Sequence, residues 1–246
     1  MRTVALFNVA LFAISFSISS SAGGLYKGKI SDVHAHVKGG VKLKSIIKII
    51  KKTNVDRILI MRRDTARINV GDNTPLTTDQ ELIDFRNRYP KKVVLGYGLQ
   101  TAQWISRDPL IIGEIRKQVT TGNYSLIGEV SLRGGGGTGR KLFVSPSDPL
   151  FHKVLKVAAE TRLPIMLHHT NIKSDEFEQL KTALRSRPEV TVIWAHWCGL
   201  SKPDQVRNLL KEFPRLHCDL AWLRKKKKRF TVALVDSEFN FLPAWK

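Results

Sequence analysis

The chain is short of cysteine and of acid. Cys198 and Cys218 are the two cysteines in 246 residues, which excludes a small disulfide-stapled scaffold and leaves open whether the two form one bridge. Asp and Glu number 21 against 41 Lys and Arg, a formal net charge of +20. That balance favours polyanions: nucleic acid, anionic glycans or membrane surfaces. Apart from one run at residues 224–229 the excess is scattered, so it draws no nucleic-acid stripe, and the run itself reads as a solvated loop. No apolar run beyond residue 22 is long enough to span a bilayer. No G-x-G-x-x-G follows the first strand, which leaves a dinucleotide-binding sheet little support. Gly139-Arg140-Lys141-Leu142 likewise lacks the Gly-Lys-Ser/Thr of a phosphate loop.

What is present starts with a processing segment. Arg2 precedes an apolar stretch at residues 4–18, and Ser19-Ser20-Ser21-Ala22 supplies the small residues a signal peptidase reads. Residues 1–22 are expected to be a secretory signal peptide, with a secreted or periplasmic product and no membrane span after cleavage. Residues 23–246 then form one large domain, and an apolar fraction of 42% is ordinary for a folded core.

Short apolar runs alternate with longer segments of helical period. Strands are expected at 30–37, 57–61, 93–97, 126–131, 164–168, 190–196 and 216–220. Helices are expected at 43–52, 79–88, 110–120, 150–161, 176–186 and 203–212. Pro149 and Pro203 stand where a first helical turn tolerates proline, and Pro90, Pro188 and Pro214 follow helices they cannot continue. Runs such as Thr191-Val192-Ile193-Trp194 are too apolar for a half-exposed strand, which implies a parallel sheet covered on both faces. Seven such units suit an α/β fold of the TIM-type (β/α)8 barrel kind, incomplete by one strand, better than a doubly wound sheet.

Four histidines fall near the C-terminal ends of expected strands: His34 and His36 on the first, His168 on the fifth and His196 on the sixth. A barrel brings those ends to one mouth. Residues two apart on a strand share a face, so His34 and His36 offer two imidazoles to one divalent ion, for which zinc is well suited. His169 alternates to the other face and reads as structural, and His152 and His217 read as packing or surface residues. Glycines 134–137, after the fourth strand, read as a substrate loop or lid, with plain linker as the alternative.

Asp32-Val33-His34-Ala35-His36 resembles the first-strand motif of the amidohydrolase superfamily. Pro164-Ile165-Met166-Leu167-His168 is similar to its fifth-strand motif, and Ile193-Trp194-Ala195-His196-Trp197-Cys198-Gly199 to the sixth-strand motif of the amidohydrolase-related branch. The resemblance implies that His34, His36 and His168 are metal ligands and that His196 is a ligand or a hydrogen-bonding partner of the reacting carbonyl. It also places Glu129 on the fourth strand as a further metal ligand; a salt bridge from Glu129 to Arg133 or another buried cation is the structural alternative.

The family further calls for an aspartate at the end of an eighth strand. Asp236 is one candidate for that catalytic acid. However, Phe241-Leu242-Pro243-Ala244-Trp245 resembles the start of the family's seventh helix, which would end this chain before the eighth strand; Asp219 is a weaker substitute that reads as a local structural acid. The implied function is a metal-dependent hydrolase using metal-bound hydroxide on a small amide, ester, lactone or carboxylated substrate, with decarboxylation a related outcome. Two alternatives stand beside it. One is a metal-dependent deoxyribonuclease, favoured by the charge. The other is a secreted metal-binding remnant without catalysis.

Overall fold

The computed structural model describes residues 29–37, 40–62, 77–133, 144–170 and 174–221. The order of elements is β1 (Ile30–Val37), α1 (Leu43–Lys52), β2 (Val55–Arg62), α2 (Asp79–Arg88), β3 (Val93–Tyr97), α3 (Thr101–Ser106), α4 (Ile111–Val119) and β4 (Leu126–Arg133). There follow α5 (Pro149–Thr161), β5 (Ile165–His169), α6 (Ser174–Arg185), β6 (Val192–Trp194), α7 (Ala195–Leu200), α8 (Pro203–Glu212) and β7 (Leu216–Cys218). Among the described residues the strands lie in sequence order in one seven-stranded sheet, and each neighbouring pair is parallel. The sheet curls far enough that His34 on β1 and Asp219, just past β7, come within 2.7 Å. Over the described residues this is the seven-stranded α/β barrel arrangement that the alternation of elements predicts.

Local chemistry accounts for the elements. Thr78 caps α2 by accepting from the Glu81 N–H, and Glu81 accepts from the Thr78 N–H at 2.7 Å, satisfying two backbone donors that a helix start otherwise leaves bare. Asp148 caps α5 ahead of Pro149. On α1, Ile46, Ile47 and Ile50 are buried while Lys44, Lys48, Lys51 and Lys52 are exposed, so part of the basic excess is the solvated face of an amphipathic helix.

Two apolar layers follow from strand alternation. On β2, Ile58 and Ile60 join the large core shared with the helices, where Ile115, Phe151, Val154 and Leu180 also sit. Leu59 and Met61 join a separate inner cluster with Leu126 and Met166. The strands are thus apolar on both faces, and the inner cluster is a packed floor rather than a pore. Met61, Leu126 and Met166 have no exposed surface; burying such a side chain fully contributes roughly 1.5–3 kcal/mol.

The seventh strand, expected to reach residue 220, ends at Cys218, and there are two further departures. The sixth strand, expected to reach residue 196, stops at Trp194, and the chain enters a left-handed turn with positive φ at His196, Trp197, Cys198 and Gly199. Left-handed geometry costs a non-glycine residue roughly 1–2 kcal/mol, so long-range contacts must impose it. They are hydrogen bonds from His196 N–H to Asp219 Oδ1 (2.8 Å) and from Trp197 N–H to the Asp219 carbonyl (3.0 Å), with a Cys198–Cys218 disulfide alongside. The second departure is α3, a six-residue helix that the periodicity does not announce, pinned where buried Trp104 donates to the Ser131 carbonyl at 2.6 Å.

No helix among the described residues is long and apolar enough to cross a membrane. Residues 1–22, 134–137, 224–229 and 241–245, together with Asp236, lie outside the described residues.

Candidate metal centre

Glu129 is the hub of the barrel mouth. Its Oε1 lies 2.7 Å from His168 Nδ1, 3.3 Å from His34 Nε2 and 3.7 Å from His196 Nε2, and its Oε2 lies 3.2 Å from His36 Nε2. The two β1 imidazoles meet with Nε2 atoms 3.1 Å apart, and His196 Nε2 stands 3.2 Å from His168 Nδ1. Three overlapping triads result, each with its donor atoms within 4.8 Å: His34, His36 and Glu129; Glu129, His168 and His196; His34, His196 and Asp219. His34, His168, His196 and Asp219 are buried, whereas His36 and Glu129 are half-buried and face the opening.

The backbone explains why Glu129 sits so deep among the rings. It follows Gly128, whose φ of +140° and close approach to β5 suit glycine alone: a Cβ there would lie 2.6 Å from the Met166 carbonyl oxygen. The salt bridge from Glu129 to Arg133, open from sequence, does not form. Arg133 instead forks onto buried Glu176, its Nε 2.6 Å from Oε2 and its second nitrogen on Oε1. His169 turns away from the mouth, as alternation requires, and stacks on Trp194, whose indole N–H donates to the His169 carbonyl at 2.9 Å. His152 packs beside Phe151 on α5, and His217 is half-buried on β7.

Charge in the cluster is divided unevenly. Burial works against a charged His34, yet the carboxylates of Glu129 and Asp219 outweigh it and raise its pKa to about 10. Burial likewise opposes a charged Glu129, but His168 and His34 hold its carboxyl well below the usual range. His196 goes the other way, because burial dominates and lowers it to about 4. Burial does the same to His169, also at about 4. The mouth therefore holds an ionised carboxylate, a cationic His34 and a neutral His196 at pH 7.

The donor set fits a small divalent ion. Ligands about 2.0–2.1 Å from a tetrahedral ion lie roughly 3.4 Å apart; the separations of 3.1 to 3.3 Å among His34, His36 and Glu129 come close to that figure. Imidazole nitrogens with one carboxylate suit zinc and also manganese. The structure gathers His34, His36, His168, His196 and Glu129 as the sequence pattern anticipates. It also brings in Asp219, which the sequence offered only as a weaker substitute for the catalytic acid.

No family model matches the sequence, and no curated protein matches it. Solved structures do. A mutant of organophosphorus hydrolase superposes with a TM-score of 0.54 at 15% identity, over 85% of this chain and 68% of that one. The likeness is one of fold: an α/β barrel. 2,6-Dihydroxybenzoate decarboxylase from Rhizobium matches at 11% identity over 73% of this chain and 69% of its own, with a TM-score of 0.49. Dihydroorotase from Campylobacter jejuni matches at 15% identity over 77% and 53%, with a TM-score of 0.47.

Proposed function

We propose that the protein is a divalent-metal-dependent hydrolase acting on a small amide, ester, lactone or carboxylated substrate. The observation that carries this reading is the convergence of four imidazoles and the Glu129 carboxylate, from β1, β4, β5 and the turn after β6, on one half-buried point. His34, His36, His168 and Glu129 would hold the ion, with zinc the first choice. Such an ion supplies Lewis acidity, acidifying water and polarising a carbonyl.

The remaining chemistry belongs to the chain. His196 is kept neutral by its burial, so one ring nitrogen can donate to a substrate oxygen while the other accepts. Of the two carboxylates in the cluster among the described residues, Asp219 is fully buried. Neither serves as the proton acceptor, because Glu129 would be engaged by the ion and Asp219 by His34 and the β6 turn. Leu59, Met61, Leu126 and Met166 form a packed apolar cluster on the inner face of the sheet.

Export is part of the proposal. Residues 1–22 carry the signal pattern, and a Cys198–Cys218 bridge fits an oxidising compartment. The test is to load the full chain with zinc or manganese and screen small esters, amides, lactones and carboxylated aromatics. Turnover that stops with chelator and in His168→Ala supports the proposal. A loaded protein that turns over none of them, yet retains its ion, favours a non-catalytic metal-binding protein. The net charge of +20 favours a deoxyribonuclease as the second reading, and chelator-sensitive plasmid cleavage would select it.

A further inference from the structure

We infer that Asp219 is the positioning residue of this centre, holding His34 in the ring form that can ligate and fixing the turn that presents His196. The inference rests on the metal-centre reading above. The side chain of Asp219 has no exposed surface, and its two oxygens have separate tasks. Oδ2 accepts from His34 Nδ1 at 2.7 Å. Oδ1 accepts from the His196 N–H at 2.8 Å and from the Ala221 N–H at 3.0 Å. The Asp219 carbonyl then takes the Trp197 N–H at 3.0 Å.

Each contact has a consequence. A carboxylate can only accept here, so the proton of its bond to His34 stays on Nδ1. His34 Nε2, which faces His36 Nε2 at 3.1 Å and Glu129 Oε1 at 3.3 Å, is the nitrogen left for an ion. Carboxylate partners of this kind fix the tautomer and orientation of a ligating imidazole. The backbone contacts act on the other side of the mouth, holding His196 in a left-handed conformation that it would not otherwise keep. One buried acid thus couples β1 to the β6 turn, across a sheet in which β1 and β7 are not neighbours.

Asp219→Asn separates positioning from mere support. The amide oxygen can keep the two backbone N–H bonds, but the NH2 group would face His34 Nδ1, moving the ring proton to Nε2 where an ion must bind. The measurements are zinc affinity by competition with a chromophoric chelator and the ¹⁵N-imidazole spectrum of His34, on the full chain, with the melting curve as a check on folding. The expected result is a zinc affinity about 10- to 100-fold weaker than wild type, with loss of the Nδ1-bound proton signal and little change in melting. Zinc affinity within twofold of wild type, with the Nδ1 proton retained, would overturn the inference. Should Asp219→Asn not fold, the wild type decides: zinc-loaded His34 lacking a proton on Nδ1 overturns the inference equally. A wild type that takes up no zinc refutes the metal-centre reading, while the same Nδ1 signal in metal-free protein still shows whether Asp219 holds the ring.

Discussion

The two sides of the barrel mouth are built by different means. On β1, His34 and His36 come from strand geometry itself, and their nitrogens meet at 3.1 Å because residues two apart share a face. At the β6–β7 end nothing periodic places His196. The strand has already ended at Trp194, three non-glycine residues adopt left-handed backbone, and Asp219 with the Cys198–Cys218 disulfide holds them. One side is a property of a strand and the other of cross-links between segments. Sites on regular elements tolerate changes at a distance, whereas a site on a clamped turn is as secure as its clamps.

Breaking the covalent clamp should have the largest effect on stability. The bridge spans 20 residues, and closing a loop of that length restricts the unfolded chain by about 3 kcal/mol. Cys198→Ala/Cys218→Ala should lose about that much in urea unfolding and weaken whatever His196 contributes to binding, leaving the β1 pair in place. Next is Gly128→Ala, which tests the sheet side. The added Cβ meets the Met166 carbonyl at 2.6 Å in a backbone region closed to alanine, and such overpacking costs about 1–3 kcal/mol. Thr78→Ala is the remote control: loss of the α2 cap should cost about 1 kcal/mol, read as a lower melting temperature with zinc affinity unchanged.

The pH dependence sharpens the comparison because His34 faces both sides, Glu129 from the sheet and Asp219 from the clamp. An ion must displace the proton held at a pKa of about 10, so zinc affinity should rise about tenfold per pH unit between pH 7 and 9. A flat titration would contradict the charged His34. In metal-free protein the sign is opposite. The folded pKa lies above the ordinary 6.5, so the stabilisation is complete below pH 6.5 and is lost as pH rises toward 10. His196, lowered to about 4, instead destabilises the fold as pH falls from 6.5 toward 4.

The same division explains what was legible in the sequence. Strand order, helix caps such as Asp148-Pro149 and the His34/His36 pair are local patterns, and the structure reproduces them. The end of β6 is not local, since it depends on acceptors on Asp219, 23 residues from His196. Asp219 read as a local structural acid because nothing in its neighbourhood names His34, which lies 185 residues away. Glu129 was visible as a carboxylate on the fourth strand, but that Arg133 pairs elsewhere could be seen only with Glu176 in view. Helix α3 escaped because six residues carry too little period, and Trp104 finds its acceptor on β4.

The most direct test of the metal centre is bound divalent metal per chain in purified protein, beside His34→Ala/His36→Ala. We expect close to one zinc or manganese ion per wild-type chain and almost none in the double variant, with both proteins folded. Equal metal content in the two, or none in a folded wild type, would contradict a metal centre built on the β1 histidines.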